Sequence, residues 1–146
     1  MQHEIIKKYI REVLSFDGLD GAGIIVLKNT DNGWKVLVLK TDDGLDITKG
    51  HLDPGESVLQ GAKRETKEEA SISELNFEWA FDSYRQGPLM LYIASTTQEP
   101  KIKRNPISGV IEHEWAKFVD FDFAIKHAYD YLQPALLWAK NKVTNT

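Results

Sequence analysis

The 146-residue chain has no cysteine, which excludes a disulfide framework and a thiolate zinc site. It has no apolar run near the ~18 residues that a membrane-spanning helix needs, so no membrane partner is expected. Its first sixteen residues, MQHEIIKKYIREVLSF, mix charged and apolar side chains and lack the unbroken apolar stretch of a secretory signal. These absences lead us to expect a cytoplasmic protein. Repeats, low-complexity tracts and an internal linker are absent too. Positive charge is in short supply: eighteen Lys and Arg face twenty-two Asp and Glu, for a net charge of -4. Non-specific nucleic-acid binding relies on basic surface, so such a partner is not expected. An acidic protein that acts on polyphosphates needs a local remedy, namely a divalent cation.

What is present is an ordinary globular balance, 42% hydrophobic and 27% charged residues, enough for one domain spanning residues 1–146. Ile5, Ile6, Tyr9, Ile10, Val13 and Leu14 recur at helical spacing, predicting an N-terminal helical extension over about residues 1–15, although the same residue types also favour strands. The run Ile24–Leu27 reads as a buried strand, Asp31-Asn32-Gly33 as a hairpin turn, and Trp34–Leu39 as the returning strand. Residues 57–70 read as a helix, with Ser57 as N-cap and Gln60 completing a capping box. Strands are expected over 75–82, 89–95 and 115–119, a basic loop over 100–108, and helices after Asp122 and from Pro134. Strands and helices in this mixed order imply an α/β fold.

The segment from Gly50 to Ile72 carries the chemistry. Glu65, Glu68 and Glu69 stand at i, i+3 and i+4, on one face of the expected helix. By itself such a face is ordinarily a solvated one, compensated by Lys63, Arg64 and Lys67. A loop containing Gly50, Pro54 and Gly55 leads straight into the capped helix, however, and can bring backbone groups to the same carboxylates. Magnesium favours carboxylate oxygens, keeps several waters and suits a phosphate substrate.

Gly50, Glu56, Arg64, Glu65, Glu68, Glu69 and Ile72 stand at the spacing of the Nudix box, and the segment resembles that motif. Thr66 stands where the pattern has an aliphatic residue, and Ser71 where it has glycine. Lys49-Gly50-His51 with Pro54-Gly55-Glu56, and the downstream Glu112-His113-Glu114, resemble the diadenosine tetraphosphate hydrolase branch of the family. The likeness covers about residues 20–143. It implies a Nudix-type α/β/α sandwich with a mixed central sheet and the catalytic loop-helix at 50–72. It also implies metal-dependent hydrolysis of a phosphoanhydride bond in a nucleoside diphosphate linked to another group.

The resemblance assigns roles as well. Glu65 and Glu69 would be the main ligands for Mg2+, for which Mn2+ can substitute. Glu68, a main-chain carbonyl at Gly50 and Glu56 would contribute further. Arg64 would orient the carboxylates, while Glu112, with Glu69 as competitor, would be the general base. Lys49, His51, His113, Tyr84 and Tyr129 are the candidate substrate contacts, with Tyr84 favoured as the stacking surface. Diadenosine tetraphosphate, cut to ATP and AMP, is the leading substrate expectation. ADP-ribose, a nucleoside triphosphate or an RNA 5′ end is the alternative. A non-catalytic nucleotide-sensing module is the reading from another class, disfavoured by the intact acidic positions. Oligomeric state is not legible.

Overall fold

The computed structural model describes residues 18–104 and 107–145; the helix expected over residues 1–15 lies outside them. Among the described residues the elements follow in the order β1 (Gly21–Thr30), β2 (Gly33–Thr41), β3 (Gly44–Asp46), β4 (Thr48–His51), α1 (Val58–Ala70), β5 (Ser83–Gln86), β6 (Leu89–Ser95), β7 (Ala116–Asp120), α2 (Phe121–His127) and α3 (Gln133–Thr144). A 3₁₀ turn, Asp130–Leu132, precedes α3.

The strands form one mixed sheet. β1 pairs in parallel with β6 and antiparallel with β2 and β4. Leu27–Thr30 of β1 pair with Gly33–Val36 of β2, and beyond that point the two strands part. β3 then takes the vacated edge of β2, while β4 takes that of β1. This divergence opens the sheet beside β4, where the 50–72 segment begins. Gly23 makes the β1–β4 approach possible, because a methyl there would overlap the Thr48 carbonyl and the Lys49 side chain.

Both faces of the sheet are covered, and alternation along β1 shows how. Ala22, Ile24 and Val26 point toward α1, where they meet Ala62, Ala70 and Ile72. Ile25 and Leu27 point the other way, toward Phe121 and Ala124 of α2 and Ala135, Leu136 and Ala139 of α3. Each fully buried Leu or Ile side chain contributes roughly 1.5–3 kcal/mol, so the two layers hold the sheet from either side. This is the α/β/α sandwich with a mixed central sheet that the sequence implies.

One expected strand is misplaced. Residues 75–82 carry alternating apolar side chains, yet Ala80 and Phe81 both adopt positive φ, 57° and 59°. Extended pairing is impossible there, and the segment instead turns, with Ala80 N–H donating to the Phe77 carbonyl and Asp82 N–H to that of Trp79. The strand begins only at Ser83. β3 and β4, which the sequence hides inside the loop before the box, are the other difference.

Candidate active site

The site is assembled where α1 crosses β4. Ser57 caps α1 by accepting from the Gln60 N–H, and the Gln60 side chain accepts from the Ser57 N–H, so both ends of the expected capping box are made. Gly61 lets the helix lie against the incoming loop, since a methyl there would overlap Leu52 and crowd Glu56. Gly50 performs the same service for the chemistry, because a methyl there would occupy the space of the Glu65 carboxylate.

Arg64 ties the segment together. Its guanidinium donates to both Glu56 oxygens (2.7 and 3.1 Å), to Glu65 (2.8 Å), to Glu68 (3.2 Å) and to the His51 carbonyl (2.8 Å). A planar fork with several donors suits this task, which a lysine could not perform. The same bonds raise the arginine's pKa, with Glu56 the main cause. They hold Glu56 below the ordinary carboxylate range, helped by the Asp53 N–H. Both Glu56 oxygens are thereby committed, and Glu56 stands in the structure as a strut between loop and helix.

Glu69 is reached from the strand: the Lys49 N–H donates to its Oε1 at 2.7 Å. In an extended strand one residue's N–H and C=O face the same side. The Lys49 carbonyl therefore opens toward the carboxylates, while that of Gly50 faces β1. Burial pushes Glu69 up to about 8, with the negative charges of Glu65 and Asp46 adding to it. Burial also raises Glu65, against the opposing pull of Arg64. Carboxyls that retain protons in an empty, crowded cleft are groups whose charge a cation would stabilise. The donors are oxygens of Glu65, Glu68, Glu69 and Glu112 and the Lys49 carbonyl, a set that fits a hard divalent ion.

These groups border a cleft of about 330 Å³. Glu112 and His113 arrive from the loop before β7, and one donor atom from each of Glu69, Glu112 and His113 lies within 4.8 Å of the others. Burial lowers His113, keeping its imidazole neutral. Lys103, part of the expected basic loop, lines the same cleft, as do His51 and Asp53.

Lys49 forms a wall shared with a second recess of about 150 Å³, bordered also by His51, Leu89 and Tyr131. Its ammonium sits 3.1 Å from Asp46 Oδ2 and 5.7 Å from the Tyr131 ring centroid. Burial alone would lower the Lys49 pKa, but Asp46 and the Tyr131 hydroxyl outweigh it and hold it raised. Tyr131 is 44% exposed and stacks on Tyr129, centroids 6.0 Å apart at 10°. Tyr129 itself is half-buried, its hydroxyl bonded to that of Thr41. The pair is delivered here by the Leu45–Ala128 bridge and by Tyr129 N–H donating to the Leu45 carbonyl.

Tyr84 is set apart from these groups. Register aligns it with Leu91, Leu91 with Gly23 and Gly23 with Lys49, so three strand spacings, ~14 Å, separate it from the lysine. Its ring packs on Trp138 of α3, 5.7 Å between centroids. Asp46 and Tyr131 are the residues that sequence reasoning missed. A roomier hollow of about 530 Å³ lies at the far end of β1, between Trp34, Asn76 and Ser95, and contains no residue of the box.

A NUDIX domain model matches residues 19–136. The chain belongs to the Nudix family and is a hydrolase of that class. No curated protein matches it in sequence. Among solved structures it is similar to the Ap4A hydrolase of C. elegans in a binary complex, with TM-score 0.70 and 24% identity over 86% of this chain and 99% of that one. It is similar to the Nudix hydrolase RenU of M. smegmatis, with TM-score 0.68 and 14% identity over 86% and 87%. It is also similar to the NUDIX domain of Shewanella oneidensis NrtR complexed with ADP ribose, with TM-score 0.58 and 13% identity over 86% and 88%. At these identities the likeness is one of fold. No helix among the described residues is long and apolar enough to cross a membrane.

Proposed function

We propose that the protein hydrolyses dinucleoside polyphosphates, with diadenosine tetraphosphate cut to ATP and AMP. The observation that carries this reading is the position of Lys49, the common wall between a carboxylate cleft and a recess floored by an exposed tyrosine. A phosphate chain in the cleft would place its attached nucleoside beside Tyr131, with the lysine charge at the junction.

Glu65, Glu68 and Glu69, with the Lys49 carbonyl, would hold Mg2+. When bound, the ion neutralises phosphate oxygens and acidifies a water. Glu112, exposed at the rim beside Glu69, accepts the proton of the attacking water. The water oxygen bonds to phosphorus as the bridging P–O bond breaks, and the electron pair leaves with the departing nucleotide. Lys49 stabilises charge that grows on the chain, and Arg64 keeps the carboxylates aimed without touching substrate. No covalent enzyme intermediate is required.

A substrate panel run in heavy-oxygen water tests this. The expected result is fastest turnover of diadenosine tetraphosphate, with ATP and AMP as products and label in one of them. Faster turnover of ADP-ribose, or of a nucleoside triphosphate, would refute the substrate assignment.

A further inference from the structure

His113 is 8% exposed and lines the carboxylate cleft. Buried polar atoms are ordinarily matched by hydrogen bonds. The one polar contact of this imidazole among the described residues is Glu69 Oε2, 3.7 Å from Nε2 and beyond hydrogen-bond reach. Glu112 completes a trio whose donor atoms lie within 4.8 Å of one another. Donors bound at about 2.0–2.2 Å to one ion stand roughly 3–4 Å apart, so the trio needs little contraction to share a cation.

Resting on the reading of this cleft as a metal-dependent centre, we propose that His113 is itself a metal ligand. With Glu69 and Glu112 it forms a nitrogen-containing cation site that favours a first-row transition ion such as Mn2+ or Co2+ over Mg2+. Magnesium is a poor partner for imidazole and holds its water tightly, whereas transition ions accept nitrogen donors. Glu65 and Glu68, on the other side of Glu69, supply oxygen alone. The two flanks of Glu69 thus differ in the cation they prefer.

The test uses the metal alone, with no nucleotide. Mn2+ bound to the full chain is examined by electron spin-echo envelope modulation, which detects a directly coordinated ¹⁴N. Modulation is expected in the wild-type protein, retained in His51→Gln and lost in His113→Gln. Calorimetric titration should show Mn2+ affinity falling about tenfold or more in His113→Gln, with Mg2+ affinity changed no more than about twofold. The wild-type spectrum and the His51→Gln control need no folded His113 variant. Mn2+ binding without nitrogen modulation overturns the proposal, as does modulation that persists without His113. A nitrogen-bearing site in a protein that cleaves no nucleotide would leave it standing and sink the hydrolytic reading instead.

Discussion

Glu69 is tied to the strand by one strong bond yet held in a place that penalises its charge. The Lys49 N–H favours the ionised form, but burial and the neighbouring Glu65 and Asp46 carboxylates outweigh it. Unfolded, the group ionises near 4.5, whereas folded it retains its proton up to about 8. Between those values the native state binds more protons than the unfolded one, so stability falls as pH rises. Glu65, also raised, adds in the same direction. His113 has a lowered pKa and acts oppositely around and below its ordinary 6.5, so pH 7–8 is the cleanest window. Metal-free protein should therefore melt at lower temperature at pH 8 than at pH 7. Glu69→Gln should flatten the decline, and a saturating divalent cation should reverse it. A melting temperature that does not change across this window in the metal-free wild type would contradict the assignment.

At the scale of elements, the join between α1 and the following chain rests on Ser71. The residue adopts φ 60°, ψ 28°, closing the helix through its N–H to the Lys67 carbonyl. For a non-glycine residue this left-handed conformation costs roughly 1–2 kcal/mol. Ser71 offsets that cost with its hydroxyl, which donates to the Lys101 carbonyl at 3.0 Å and anchors the segment leading to Lys103. Such a bond is worth about 0.5–1.5 kcal/mol. Ser71→Gly should thus leave stability within about 1 kcal/mol of wild type, since it removes strain and bond together. Ser71→Ala retains the strain and loses the bond, and should be destabilised by about 1 kcal/mol. Urea denaturation separates the two, and an alanine variant as stable as the glycine variant would show that the bond contributes nothing.

Thr66, the other departure from the box pattern, is fully buried and also matched. Its hydroxyl donates to the Ala62 carbonyl and lies 3.0 Å from that of Thr48. Elements with local causes were legible in sequence: α1 through its cap and box, the β1–β2 hairpin through Asp31-Asn32-Gly33. The strand expected at 75–82 failed because alternation in Leu75, Phe77, Trp79 and Phe81 mimics a pleat, while the backbone at Ala80 and Phe81 is left-handed. Lys49, Glu65, Glu68, Glu69, Glu112 and His113 do meet in one cleft. Asp46 and Tyr131 could not be read, because only the pairing of Leu45 with Ala128 brings them together.

Across the whole molecule, the two ends of the chain meet at one substrate groove. The 3₁₀ turn before α3 carries Tyr131 to the start of β1, beside Lys49 and Leu89. The exposed ring is backed by Tyr129, so it presents a rigid face rather than a mobile side chain. A nucleobase stacked there would gain about 1–3 kcal/mol. Tyr131→Ala should accordingly raise KM for diadenosine tetraphosphate roughly ten- to a hundredfold. If the stack is equal in ground and transition states, kcat should hardly move. Tyr84 supplies the contrast, because its ring is spent on Trp138 across the β5–α3 contact. Tyr84→Ala should lower the melting temperature through lost packing and leave KM alone. Steady-state kinetics and thermal melts on both variants decide between these positions. A raised KM in Tyr84→Ala with Tyr131→Ala unaffected would move the base away from this recess, and would remove the argument that makes Lys49 the junction between phosphate chain and nucleoside.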